Sequence, residues 1–446
     1  MKETDIKYIG EPLLSPDVFF RITRDGDVVL FQTSQQKVYL LDGEVADILK
    51  YFWERKKRGS IDLIKDNNQL VNDVRTVQII DELKSVGILV QDTALLEENY
   101  SLETQIKLEK YGKSNELYAV MFELTYRCNE RCKHCYCDHD DFKNELSFEE
   151  IKKVIDDLKA MNVVELTFTG GDIFVRQDAF DILEYAYKLG FVINVFTNGT
   201  LLNDSDFFRL KEIYPRCVHF SLYNYIPEKH DSFTQLPGSF EKTVTAIKKC
   251  KMLGIPVNIK MSVLDENVDD IEGMLKLAET LGVTVQVSLQ IMPRNDGSMS
   301  NTVHRLDSPE AYARIMKKIE NHVILLCANG EASPEQSKRE NGPVCGAGGF
   351  ALSINPFGEV FPCNTLLISC GNVRNMPIFE IWNKSEMLDK VRSFKMNQIK
   401  GCEGCELKRY CDFCPGSALL ENGDPLKKYS GVCLIAEARK INEEGE

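Results

Sequence analysis

The chain is predicted to be an α/β protein built on a parallel sheet, with a small unit before the sheet and a cysteine-rich region after it. Three observations predict this. Six apolar strand-like runs (120–125, 165–169, 192–197, 218–223, 257–263 and 284–290) alternate with helical stretches. A short strand-rich, winged-helix-like pattern precedes them, and closely spaced cysteines run from Cys345 to Cys433 after them. Six strand-helix units in succession imply right-handed crossovers, with functional residues at the C-terminal ends of the strands.

Taken in order, residues 18–22, 28–32 and 37–41 alternate as three short strands, separated by turns at 24–27 and 33–36. Gly43 opens a helix in which Val45, Ile48, Leu49 and Phe52 share a face. A second helix, 74–85, ends near Gly87 and leads to Ile88-Leu89-Val90, closing a unit over 1–92. Residues 93–115 are polar and acidic and read as a linker. The sheet domain is expected over 116–310. Its first helix, 148–161, carries an apolar stripe of Phe148, Ile151, Ile155, Leu158 and Met161. The cysteine-rich domain is expected over 311–446.

Composition excludes several classes. A formal charge of −14 disfavours nucleic-acid and membrane surfaces, which need positive patches to engage phosphates. No apolar run approaches the ~20 residues that span a bilayer, and residues 1–10 show no signal-peptide core. A cytoplasmic location is therefore expected, where clustered thiols stay reduced and read as metal ligands more readily than as disulfides.

The chemistry centres on Cys128, Cys132 and Cys135, a C-x3-C-x2-C triplet directly after the first strand of the series. Three thiolates can wrap one metal centre but leave a fourth position unfilled. A structural zinc site calls for a fourth Cys or His in paired spacing, whereas an iron-sulfur cubane can keep one iron free for a small molecule. Cys137 lies outside the pattern.

This triplet, with the ring of His134 before its last cysteine, resembles the signature of the radical S-adenosylmethionine (radical SAM) superfamily. The resemblance implies a partial (β/α)6 barrel and a 4Fe-4S cluster that chelates and cleaves SAM to a 5'-deoxyadenosyl radical. Gly170-Gly171-Asp172 looks like the family's G-G-E motif, which holds the amino group of SAM, with an acid one methylene shorter. Asn198 ends the third strand, and Ser221, Lys260 and Ser262 lie toward the ends of the fourth and fifth; these are the other expected SAM contacts. Tyr223 stands where relatives often carry Asp.

The later cysteines, Cys345, Cys363, Cys402, Cys405, Cys411, Cys414 and Cys433, are too many for one tetrahedral site and fit two. They resemble the SPASM domain of radical SAM peptide maturases, with two rather than three residues before the sixth cysteine. The resemblance implies two auxiliary 4Fe-4S clusters, hence three clusters in all. Cys402, Cys405, Cys411 and Cys433 would hold the outer one. Cys345, Cys363 and Cys414 would hold the inner one, whose fourth ligand is Cys327, Cys370 or an open position.

The N-terminal unit resembles the leader-peptide recognition element of peptide-modifying enzymes, similar to the small partner protein of pyrroloquinoline quinone biosynthesis. Shared strings such as Phe122-Glu123-Leu124-Thr125 and Cys345-Gly346-Ala347-Gly348 bring the chain near the subtilosin-type thioether synthases. The expected function is formation of a cysteine sulfur-to-carbon thioether in a ribosomally made precursor peptide bound through its leader. An electron donor such as flavodoxin or ferredoxin is implied, and no protein acid or base is obligatory. Carbon-carbon crosslinking or epimerisation, and a non-catalytic metal-dependent peptide-binding or redox-sensing role, are the alternatives.

Overall fold

A computed structural model describes residues 13–14, 18–22, 28–32, 37–41, 43–58, 74–90, 116–137, 143–319, 323–325 and 342–445. The chain forms two compact units, Met1–Lys107 and Leu108–Glu446. The expected linker at 93–115 and Cys327 lie outside the described residues.

In the first unit, β2 (Val18–Ile22), β3 (Val28–Gln32) and β4 (Lys37–Leu41) form an antiparallel sheet in the order β2-β3-β4. The pairing Phe20↔Leu30↔Tyr39 sets the register. A short ribbon pairs β1 (Leu13–Leu14) with β5 (Leu89–Val90). Helix Gly43–Arg58 buries Ala46, Ile48, Leu49 and Phe52. Helix Val74–Ser85 adds Ile80 and Leu83 to the same core. Gly87, at φ 73, supplies the left-handed turn that ends this second helix.

The second unit is organised on one sheet whose strands run β12-β11-β10-β9-β8-β7-β6-β13-β14-β15. The expected strands appear as β6 (Ala119–Thr125), β7 (Glu165–Gly170), β8 (Val192–Thr197), β9 (Cys217–Ser221), β10 (Val257–Ser262) and β11 (Thr284–Ser288), all parallel. One face buries Val120, Phe122, Leu166, Phe168, Val195, Phe220, Ile259 and Val287 under the helices. On the alternate positions, Phe196 meets His219 at 4.7 Å and the Lys260 ammonium lies 4.0 Å over the Phe196 ring, which marks the opposite, inner face.

Helix Phe148–Ala160 begins at a capping box of Ser147 and Glu150 and buries Ile151, Val154, Ile155 and Leu158. The expected stripe thus holds at its centre. Phe148 and Met161, at its ends, are only partly buried against the core.

Two expectations change. β9 stops at Ser221 rather than 223, because the Tyr223 amide donates to His230 Nδ1 at 3.2 Å and leaves the ladder. The sheet also runs past the expected border at 310. Helix Pro309–Ile319 buries Tyr312, Ile315 and Met316, and β12 (Val323–Leu325) then adds a seventh parallel strand beside β11. On the other side, β13 (Ala351–Ile354) pairs in parallel with β6 and continues antiparallel into β14 (Glu359–Phe361) and β15 (Gly371–Asn372). The cysteine-rich region therefore grows directly off the first barrel strand. Among the described residues no helix is long and apolar enough to cross a membrane.

Phe168 is fully buried and stacks on Phe122 at 6.4 Å between ring centres. Phe168→Ala is expected to cost about 3–5 kcal/mol, read as a lowered urea midpoint of the metal-free protein.

Candidate active site

β6 ends at Thr125, and the cysteine loop begins three residues later, at Cys128. Its seat is made by backbone: the Gly171 amide donates to Thr125 O at 2.7 Å and the Asp172 amide to Arg127 O at 2.9 Å. A Cβ on Gly170 would overlap the Thr125 carbonyl, and one on Gly171 the carbonyls of Tyr126 and Arg127. Glycine is required at both positions by this close approach.

Asp172 is buried, and its carboxylate accepts from Phe174 N at 3.0 Å, Thr197 Oγ1 at 2.7 Å and Asn198 N at 2.8 Å. Burial raises its pKa. Its three bonds bind the end of β7 to the end of β8, so the carboxylate is occupied within the protein. Asn198 passes the order on, donating from Nδ2 to Asn129 Oδ1 at 2.9 Å and, at 3.8 Å, to Cys128 Sγ.

The loop's two flanks are clamped from below. Glu123, on the inner face of β6 and 1% exposed, accepts from Tyr126 Oη at 3.2 Å and from Tyr136 Oη at 2.9 Å. Asn301 donates from Nδ2 to the carbonyls of His134 (3.0 Å), Cys135 (3.3 Å) and Met292 (2.7 Å). The chain from Cys128 to Cys135 is irregular, and these side chains supply the donors and acceptors its backbone cannot find in a ladder.

Inside the clamp, Cys128, Cys132 and Cys135 are neighbours close enough to disfavour one another's ionisation. Burial is the larger cause, and it pushes the Cys128 thiol up to about 12 and Cys132 well above its ordinary value. The Glu130 amide donates to Cys128 Sγ at 3.4 Å, and Cys132 Sγ donates to Glu130 Oε2 at 3.2 Å. Cys137 is buried with Sγ 3.7 Å from Gly170 O.

The His134 ring lies 5.0 Å from Phe233 and 4.7 Å from Tyr223, and burial holds its pKa down to about 4, so it is neutral. Its Nδ1 is buried and without a protein partner. Ser221 and Ser262 sit at the ends of β9 and β10. Lys260 lies deeper, paired in register with Ser221 and with its ammonium over Phe196.

The later thiols fall into two sets. Cys363 feels Cys414 and Cys345, and Cys345 feels Cys414. Cys402 feels Cys405 and Cys433, and Cys411 feels Cys433 and Cys402. Burial is the first cause throughout, lifting Cys363 and Cys411 to about 12 and Cys345 to about 11. The Leu366 amide donates to Cys363 Sγ at 3.3 Å. Cys370 is not with the inner set: it is buried in the main core, donates toward Ile368 O, and has Ser385, Arg392 and Glu359 as polar neighbours. Among the described residues no three His, Cys, Asp or Glu side chains converge on a single ion-sized point.

Comparison with known proteins completes the picture. Residues 122–278 match the radical SAM superfamily, and residues 345–406 match SPASM, an iron-sulfur cluster-binding domain. The chain is 32% identical over 335 residues to the antilisterial bacteriocin subtilosin biosynthesis protein AlbA of Bacillus subtilis, covering 72% of each chain. It belongs to the radical SAM superfamily. An AdoMet-dependent heme synthase of Methanosarcina barkeri is 29% identical over 347 residues, which are 72% of this chain and 97% of that one. In fold, Streptococcus suis SuiB bound to precursor peptide SuiA superposes with a TM-score of 0.61 at 14% identity, over 95% of this chain and all of that one.

As a radical SAM enzyme with a SPASM domain, the protein uses SAM and 4Fe-4S clusters. The residues present fit such groups. Buried thiols with raised pKa values, receiving N–H donors at sulfur, are the ligand chemistry that bound iron converts to thiolate. Sequence reasoning missed Glu123, Tyr126, Tyr136 and Asn301. An acid at an inward position of a strand, between Phe122 and Leu124, was the available signal for the first.

Burial raises the Glu123 carboxyl to about 7 from an ordinary 4.5. Between these values only the unfolded chain ionises, so the metal-free protein loses stability as pH rises from 4.5 through 7. Glu130, also raised to about 7, contributes in the same direction. Glu123→Gln is expected to shrink this loss, measured as the difference between urea midpoints at about pH 5 and about pH 8.

Proposed function

We propose that this enzyme modifies a ribosomally made precursor peptide, joining a cysteine sulfur to a carbon of the same peptide as a thioether. The observation that carries the reading is a separate N-terminal unit with an open-edged three-stranded sheet, joined in one chain to an inner set of three thiols. Among the described residues β2 and β4 each pair on one side only, so either could accept a leader strand through main-chain hydrogen bonds. Support comes from AlbA, a biosynthesis protein of a bacteriocin, and from SuiB, whose fold likeness extends over nearly the whole of this chain.

In this reading residues 1–92 are the recognition element and resemble the pyrroloquinoline-quinone partner protein, while Cys128, Cys132 and Cys135 hold the SAM-binding cluster. Cys402, Cys405, Cys411 and Cys433 hold the outer auxiliary cluster, and Cys345, Cys363 and Cys414 the inner one. Bound clusters would supply one-electron chemistry: the electron that splits SAM into methionine and a 5'-deoxyadenosyl radical, and a reservoir for the electron left over. Asn198, Ser221, Lys260 and Ser262 line the approach for SAM, with the backbone of Gly170 and Gly171 at its amino end. Asp172 serves by holding that backbone. A flavodoxin or ferredoxin is the electron source.

Thioether formation removes one hydrogen atom from the carbon and one proton from the thiol, and leaves a peptide lighter by two hydrogens.

The heme synthase likeness favours a second reading, action on a tetrapyrrole. The two are separated by the substrate consumed. Anaerobically reconstituted protein with SAM, reductant and a co-expressed cysteine-bearing peptide is expected to yield 5'-deoxyadenosine and a peptide lighter by two hydrogens with an alkylation-resistant cysteine. Conversion of a heme precursor with the peptide untouched would overturn the proposal. Cys128→Ala is expected to abolish SAM cleavage. Cys363→Ala is expected to retain cleavage to 5'-deoxyadenosine while losing the crosslink.

A further inference from the structure

The segment after β11 touches both thiol regions. Asn301 holds the carbonyls of His134 and Cys135 on the SAM-cluster loop, and the Asn295 amide donates to Tyr136 O at 2.8 Å. Ile291 packs with Tyr223, Phe233 and Leu264, a small apolar cluster that Cys132 borders. On its other side the segment meets the helix Pro415–Asn422, which starts immediately after Cys414. Ser417 Oγ donates to Met292 Sδ at 3.2 Å, and the Arg305 guanidinium pairs with Glu421 Oε1 at 2.8 Å.

Arg305 is the hub of this contact. Its Nε and Nη2 both donate to Ile291 O, at 2.9 and 2.6 Å, while Nη1 faces Glu421. The pair is largely buried, with side-chain exposures of 16% and 8%. The same Nη1 is the nearest atom to the open side of Gly431, in the helix Ser430–Glu444 that carries Cys433. A cavity of about 10 Å³, no larger than one water, is all that remains between Gln290, Arg305, Ser417, Tyr429 and Gly431. A planar fork can hold one carbonyl with two donors and a carboxylate with a third; an ammonium cannot.

We propose that Arg305 is a positioning residue that, through Met292 and Asn301, locks the helix following Cys414 to the loop of Cys128–Cys135 and so sets the separation between the SAM-binding and inner auxiliary clusters. The proposal rests on the assignment of clusters to those two cysteine sets. β13 anchors Cys345 and Cys363 to β6, while Cys414 lies some fifty residues further along the chain. The helix Ser430–Glu444 beyond it packs on the helix Pro309–Ile319, with Asn442 Nδ2 donating to Ala313 O at 3.1 Å, and the Arg305 junction is the polar contact made by the helix directly after Cys414. The Arg305 junction returns that distant segment to the barrel mouth. Electron exchange between two centres falls steeply with separation, so a slack junction would slow the return of the surplus electron.

The test uses the full-length reconstituted protein, reduced and with SAM, without peptide. The microwave power that half-saturates the EPR signal of the SAM-binding cluster reports its magnetic contact with reduced neighbours. Arg305→Lys is expected to lower that power several-fold at unchanged iron content. In the metal-free chain it should raise amide hydrogen exchange together across 292–301 and 415–422. If Arg305→Lys loses iron, Ser417→Ala, which cuts the Met292 contact and the Tyr429 contact but leaves Arg305 in place, is read in the same way and is expected to show a smaller drop. Parent-like saturation in the iron-replete variants would overturn the proposal. A parent protein that shows no SAM-cluster signal would instead overturn the cluster assignment beneath it.

Discussion

β6 is the strand on which the second unit depends, because it is shared. It pairs in parallel with β7 on one side and β13 on the other, so a single seven-residue strand fixes both the start of the barrel and the root of the cysteine-rich region. Where it ends, its chain passes over the glycine pair of β7 at a distance no side chain allows. The start of the cysteine loop is therefore placed by backbone contact with the turn that ends β7. Side-chain disorder in the loop has little to act on.

The loop itself has no ladder to satisfy it, and its order is borrowed from buried polar side chains on four neighbours: Glu123 from β6, Asp172 after β7, Asn198 after β8 and Asn301 beyond β11. Glu123 and Asn198 bond the loop and its flanks, Asn301 bonds the loop and Met292 O, and Asp172 bonds Asn198 together with Thr197 and Phe174. Such a network is costly to leave half-made, because an unpaired buried carbonyl or carboxyl loses its hydration without return. That cost makes one loop conformation preferable to the many that a C-x3-C-x2-C sequence could otherwise adopt. Raised thiol pKa values are the complementary part: these sulfurs resist ionisation alone and accept it with a cationic metal among them.

Placing the auxiliary thiols uses a different device. Cys345 and Cys363 bracket a strand and hairpin that extend the barrel sheet, while Cys402, Cys405 and Cys411 lie in turns and Cys414 and Cys433 at or within helix starts. Cys402, Cys411, Cys414 and Cys433 border one small apolar cluster, around Phe413 and Tyr429, and Cys363 borders another, around Leu366 and Phe394. Arg305 and Glu421 add a largely buried ion pair at 2.8 Å where this region meets the barrel.

Local pattern determined a good deal of this. Alternation named every strand from β6 to β11, since a strand buried under helices on one face must repeat every second residue, and the 148–161 stripe located its helix. The cysteine spacing marked the triplet, because short loops between thiols leave few ways to share a metal, and the SPASM resemblance implied how the later cysteines divide into two sets. Tertiary structure alone decided that β12 completes the sheet beyond 310, that Cys370 packs in the core, and that the His134 ring lies against Phe233 and Tyr223. It also decided that Glu123, Asn301 and Arg305 hold the site. Asn301 acts on a residue 167 positions away, and a hydrogen-bond partner so distant leaves no period, spacing or local composition by which a sequence could announce it, whereas the inward acid at 123, three residues from Tyr126, did leave a local signal.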